Sequence, residues 1–149
     1  MVDWVSQRLL LLDPDYDRRE RIAFFLRHSG FEVALGAGSC GGIAALSQSD
    51  VDLIILAQHC PAMCDCEVAR QVFRVFDIPK IVLGDEYEEV AGIPFLEMGA
   101  DAYLPLPLNA REMLARIRML LSRATREERN ATPAGGIAGM PERQSSKVY

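Results

Sequence analysis

Val51-Asp52-Leu53-Ile54-Ile55-Leu56-Ala57 is the stretch on which the fold turns. It is a short, nearly continuous apolar run, as a strand covered on both faces of a sheet requires. Working outward, Leu9-Leu10-Leu11-Leu12 repeats the pattern and stops at Asp13. Residues 31–35 read as another short strand, Pro79-Lys80-Ile81-Val82-Leu83 as a fourth ending at Gly84, and Ala102-Tyr103-Leu104 as a fifth. Helical patterns lie between them. Asp15 can cap a helix whose apolar residues Ile22, Phe25 and Leu26 recur at helical spacing, and Ser29-Gly30 ends it. Further helices are predicted over 39–46, over 66–76, and just after Gly92 with Pro94 in the first turn. The last opens at Asn109, where Asn-x-x-Glu forms a variant capping box and places Met113, Ile117, Leu120 and Leu121 on one side. Strands alternating with helices in this way predict an α/β fold, a parallel five-stranded sheet covered on both faces. Its working site is expected beyond the C-terminal strand ends. Those ends are Asp13, Ala57 and Gly84, with Pro105-Leu106-Pro107 beside them.

The 149 residues suit one domain with a real core, and half of them are hydrophobic. No apolar run approaches the ~20 residues of a membrane span. Met1-Val2-Asp3-Trp4 does not open a signal peptide, so a cytoplasmic location with reduced thiols is expected. Of the 16 basic and 21 acidic residues, five basic and three acidic lie from Arg123 onward, which leaves a strongly acidic body. Such a body is a poor DNA-binding surface, because attraction to phosphates dominates nucleic-acid affinity. After about Ala124 the apolar periodicity stops. The Gly/Pro-rich stretch from Asn130 to Gly136, and the polar residues on to Tyr149, read as linker or disordered tail.

Several motifs carry a family likeness: Leu9 to Asp13, Asp52 to Leu56, Pro61-Ala62-Met63, and above all Met98-Gly99-Ala100-Asp101-Ala102-Tyr103-Leu104-Pro105-Leu106-Pro107. Together they resemble the receiver domain of two-component response regulators, the flavodoxin-like CheY class. With Asn109 to Leu121 the likeness is greatest to the OmpR/PhoB-type transcription regulators. It implies a doubly wound (βα)5 sheet in the order 2-1-3-4-5 within residues 1–123, with 124–149 as the tail.

Receiver chemistry implies an aspartate nucleophile at the end of the third strand and two acidic residues that hold Mg²⁺ with it. It also implies a Ser or Thr ending the fourth strand and a lysine before the last proline, which engage the phosphoryl oxygens. At these positions the chain has Ala57, Asp13-Pro14, Gly84 and Leu106. Asp52 starts its strand at the opposite end of the sheet and Asp65 lies past the following loop, so neither replaces the nucleophile. The resemblance therefore implies a degenerate, more apolar pocket with no bound metal or cofactor, closed to the usual phosphorylation. Tyr103 matches the aromatic that swings inward in receivers, but Gly84 has no side chain to pull it. Its other reading is a partly buried core tyrosine.

The loop His59-Cys60-Pro61-Ala62-Met63-Cys64-Asp65-Cys66 places three thiols and an imidazole beside this pocket. C-x3-C-x-C is not the usual zinc knuckle spacing, so packing of Cys60 and Cys66 as small hydrophobes is the reading preferred. Cys64 is the residue left for a redox switch. Cys40 is expected to pack, and His28 to complement a helix C-terminus.

OmpR/PhoB-type receivers dimerise through the fourth helix, fifth strand and fifth helix. Here Asp101, Glu112 and Arg116 match the charged positions and Ile93 and Leu96 supply an apolar patch, while Ala102 and Gly92 replace an acidic and a basic residue. The alternative is a solvated helix face. The sequence thus leads to an atypical, non-enzymatic receiver that signals by protein–protein contact, as a homodimer, with DNA reached only through an effector domain outside these residues. Two other readings stay open: a sensor binding an apolar effector in the vacated pocket, and a thiol switch at Cys64.

Overall fold

The computed structural model describes residues 7–36, 51–59, 73, 77–84 and 89–131. Five strands are present: β1 (Arg8–Leu12), β2 (Glu32–Gly36), β3 (Leu53–Ala57), β4 (Lys80–Leu83) and β5 (Ala102–Leu104). The described helices are α1 (Tyr16–His28), α2 (Ile93–Met98), which follows a 3-10 turn at Glu89–Gly92, and α3 (Ala110–Ala131). The strands form one sheet in the order β2-β1-β3-β4-β5, every pair parallel, the flavodoxin-like order. The predicted helices at 39–46 and 66–76 lie outside the described residues, apart from Phe73, which is helical and buried. The predicted fourth and fifth helices are α2 and α3.

Alternation along the strands divides the core in two. Leu9, Leu11, Leu53, Ile55, Ile81 and Leu83 pack with Ile22, Ala23 and Leu26 of α1 and with Met113, Ile117, Leu120 and Leu121 of α3. Leu10, Leu12, Ile54, Leu56 and Val82 pack on the other face with Phe73, Ile78 and Ala100, and Phe95, Met98 and Tyr103 close over them. The helix signals read from sequence act as caps. Asp15 Oδ1 accepts from Arg18 N at 3.1 Å. Gly30, at φ +103°, carries the chain out of α1, which is the conformation that favours glycine there. Asn109 Oδ1 accepts from Arg111 N and Glu112 N, each at 3.0 Å. His28, in the last turn of α1, has Nδ1 3.2 Å from Phe24 O and its ring on that of Phe24.

α3 runs on to Ala131, past the point near Ala124 where the apolar pattern ends. The residues beyond it, Arg126-Glu127-Glu128-Arg129, are good helix formers by propensity, and extending an established helix is easier than starting one.

At the N-terminal end of the sheet, β4 and β5 are fastened by a reciprocal pair of hydrogen bonds. Lys80 N donates to Asp101 Oδ2 at 2.9 Å, and Asp101 N donates to Lys80 O at 2.8 Å. Lys80 itself is only 4% exposed, and its Nζ donates to Ile78 O at 2.8 Å. Burial pushes its ammonium below the usual lysine range, opposed by the charges of Asp101 and Asp77. The folded protein therefore releases this proton at lower pH than the unfolded chain, whose lysines titrate near 10.5. Between those points the unfolded state holds more protons, so stability gained from this group rises with pH. Urea unfolding of the wild type and of Lys80→Met, compared from neutral pH upward, is expected to show the wild type gaining on the variant as pH climbs. A constant difference would refute the buried ammonium.

Candidate functional site

The C-terminal ends of β1, β3 and β4 bring Asp13, Ala57 and Gly84 to one edge of the sheet, all buried. Asp13 has no exposed surface, so its carboxylate must be satisfied from within. It is. Arg18 donates through Nε to Oδ2 at 2.6 Å and through Nη2 to Oδ1 at 3.1 Å, and Asp15 N donates to Oδ1 at 2.9 Å. The local sequence dictates this arrangement. Asp13-Pro14-Asp15 turns the chain, Asp15 caps α1, and the first helical turn folds the Arg18 side chain back onto the strand end. The Arg18 N–H on Asp15 also holds that carboxyl below its ordinary range. Arg19 Nη1 donates to the Asp13 carbonyl at 2.8 Å, and its guanidinium lies 5.5 Å from the Tyr16 ring centre.

These residues do not fit Mg²⁺. The ion needs several oxygen ligands, usually from more than one carboxylate or a phosphate. Here Pro14 and Ala57 offer no side-chain oxygen, and both oxygens of Asp13 already face a guanidinium. Among the described residues no group of three His, Cys, Asp or Glu side chains could hold a metal ion. Asp52 lies at the other end of the sheet, its carboxylate accepting from Arg8 N at 2.9 Å.

Tyr103 is half-buried, and its hydroxyl donates to Gln58 Oε1 at 2.9 Å. Gln58 directly follows Ala57, so this bond joins the end of β3 to β5. The ring stacks on Phe95 with centroids 5.9 Å apart and planes 7° apart. It also lies against both Gly84 and Gly92. Leu106, where the resemblance implies a lysine, is half-buried ahead of a cis bond to Pro107.

On the outer surface, α2 exposes Ile93 and Leu96, with Val90 exposed just before it. On α3, Glu112 and Arg116 are 3.6 Å apart and half-exposed, and Met119 continues the same helical side into solvent. Edge strand β5 runs between these helices in sequence. Asp101 is exposed, but its carboxylate is engaged by the Lys80 backbone. The structure thus gathers Asp13, Ala57, Gly84 and Tyr103 at one end; the five residues expected at a dimer face lie elsewhere, Ile93 and Leu96 on α2, Asp101 just before β5, and Glu112 and Arg116 on α3. Cys40, Cys60, Cys64, Asp65 and Cys66 lie outside the described residues, and His59 is exposed. Arg18 and Gln58 were not legible as site residues, although an arginine three positions after a helix cap is within reach of the strand end before it.

Arg18→Met would leave a fully buried carboxylate without its charge partner and is expected to cost about 3–5 kcal/mol of stability. Adding Asp13→Asn to that variant should recover most of the loss. Urea denaturation of the three proteins checks this, and equal midpoints would show that the pair contributes nothing.

No protein-family model matches the chain. The sensory transduction protein RegX3 of Mycolicibacterium smegmatis is 28% identical over 135 residues, 91% of this chain and 59% of that protein. The transcriptional regulatory protein CpxR of Klebsiella pneumoniae is 33% identical over 132 residues, 87% of this chain and 55% of that protein. The chain spans little more than half the length of these curated relatives. Among solved structures, a CheY-like response regulator receiver domain protein from Methanospirillum hungatei aligns with a TM-score of 0.72 at 25% identity, covering 81% of this chain and 98% of that one. No described helix is long and apolar enough to cross a membrane. A sheet of this order, matched over nearly the whole of a solved receiver and accompanied by relatives of the OmpR/PhoB type, makes the chain a CheY-like response-regulator receiver domain.

Proposed function

We propose that this receiver acts without phosphorylation, by presenting its α2–β5–α3 face to a second copy of itself, as the regulatory part of a longer transcription regulator. The observation that carries the reading is the buried Asp13–Arg18 pair beside Ala57. The position where the resemblance implies a nucleophilic aspartate holds Ala57, and the carboxylate beside it, that of Asp13, is neutralised by a cation on the same chain. Phosphoryl transfer to a carboxylate needs both the nucleophile and the compensating charge at that point. What remains is contact chemistry.

Val90 in the turn before α2, Ile93 and Leu96 on α2, and Met119 on α3 supply exposed apolar surface on the segments that flank β5 in sequence. Large apolar side chains gathered on one side favour association more than scattered ones do. Glu112 and Arg116 lie on the same side of α3 as Met119, and exchange of their partners across a twofold axis would add specificity at about 0–1 kcal/mol per exposed pair. The acidic body argues against direct DNA contact by the receiver. Relatives named as a transcriptional regulatory protein and as a DNA-binding response regulator are about twice as long as their match to this chain, so DNA contact is assigned to a part beyond the receiver.

Incubation with acetyl phosphate and Mg²⁺ is expected to leave the intact mass of the wild type unchanged, and to leave Ala57→Asp unlabelled as well. Sedimentation of the untreated protein at micromolar concentration should give a dimer, and Ile93→Glu combined with Leu96→Glu a monomer. Stoichiometric labelling, or a strict monomer in the wild type, would sink the proposal.

A further inference from the structure

We propose that Gly84 and Gly92 form a seat for Tyr103 that holds the ring turned inward with no phosphoryl group to draw it there. A methyl group placed on Gly84 would fall onto the phenol oxygen and Cζ of Tyr103, and one on Gly92 onto its Cγ and Cδ2, 2.6 Å from its Cβ. The ring therefore occupies the space that any other residue at either position would fill. Neither glycine is required by its backbone. Gly92 sits at φ −86°, ψ −7°, in the right-handed region, and Gly84 is not among the described residues with positive φ. An L-residue could adopt both conformations, so what these positions need from glycine is the missing side chain.

Two further contacts fix the ring in that seat. Phe95, on the first turn of α2, stacks on it nearly parallel, and Gln58 Oε1 accepts a hydrogen bond from its hydroxyl. The glycine at the end of β4 thus has a positive role. Where the family's hydroxyl would move to make room for the aromatic, the room here is permanent. The bond to Gln58 then ties β5 to the residue after Ala57, so the link between the strand-end site and the α2–β5–α3 face is built in. The meaning of the seat as a fixed signalling state rests on the phosphorylation-independent reading; the seat itself does not.

The test is NMR on the isotopically labelled full chain, without phosphodonor. Nuclear Overhauser contacts are expected from the Tyr103 ring protons to the Hα protons of both Gly84 and Gly92, and their absence would overturn the proposal. Tyr103→Phe should keep the equivalent contacts, because the seat selects a ring by shape. Gly84→Ala should lose the contact to Gly92 and lower Tm by about 4 °C or more, the usual scale for overpacking a filled site. Gly84→Ala with Tyr103→Ala should be more stable than the two single losses added together, since the clash is then gone. An alanine variant with unchanged contacts and Tm, or a double variant that is merely additive, would also overturn it. If Gly84→Ala does not fold, the contacts in the wild type and in Tyr103→Phe still decide. Contacts present in the untreated protein but altered by acetyl phosphate with Mg²⁺ would leave the seat standing and defeat the phosphorylation-independent reading instead.

Discussion

β1, β3 and β4 have no wet face. Their side chains alternate between two cores, and from Leu9 to Leu12, Leu53 to Ala57 and Ile81 to Leu83 almost no surface reaches solvent. Parallel strands covered on both sides must end together, and the chain must leave them at the same edge. Asp13, Ala57 and Gly84 therefore meet at a place that water hardly reaches. A charge left there is costly unless another charge meets it, and a cavity there is costly unless something fills it. Both demands hold whether or not the protein does any chemistry.

The chain meets each demand with its own atoms. Arg18 supplies the positive charge that the buried Asp13 carboxylate needs, and Tyr103 fills the volume that Gly84 and Gly92 leave open. Both are tethered groups, whose recruitment costs no binding entropy and depends on no solute concentration. On the phosphorylation-independent reading proposed above, Pro14, Ala57, Gly84 and Leu106 are more than separate losses, because Arg18 on Asp13 and Tyr103 against Gly84 occupy the site as structure.

Much of this fold was legible in the sequence. The apolar runs are short, and Gly30, Pro94 and Asn109 punctuate them where the helices begin and end. Strand limits differ by a residue or two, because Phe31, Val51 and Pro79 belong by hydrophobicity to strands that hydrogen bonding starts just after them. The site was less legible. Arg18 carries no site signal of its own in the sequence, since helical spacing says which face a residue takes and not how far its side chain folds back. Gly84 was read as a missing hydroxyl. That it is also room for a ring depends on Gly92 and Tyr103, which are far from it in sequence. Lys80 shows the same limit, because an apolar strand disguises a lysine at its first position until the burial is seen.

The energetics of the proposed seat separate a fixed receiver from a switched one. Moving a two-state equilibrium from 1:99 to 99:1 takes about 5.5 kcal/mol of differential binding, which a phosphoryl group and its metal can supply. A neutral hydrogen bond and one aromatic stacking contact contribute about 2 kcal/mol together, near thirtyfold. That would be a weak switch, but it is enough for a rest position. A receiver without a trigger never has to cross the larger gap; it has only to stay on one side of it. Small cavities shaped by two glycines, one acceptor on Gln58 and one ring on Phe95 suffice for that. Glycine at both positions is then the economical solution: it leaves the inward state unstrained, while the hydrogen bond and the stacking contact supply the bias.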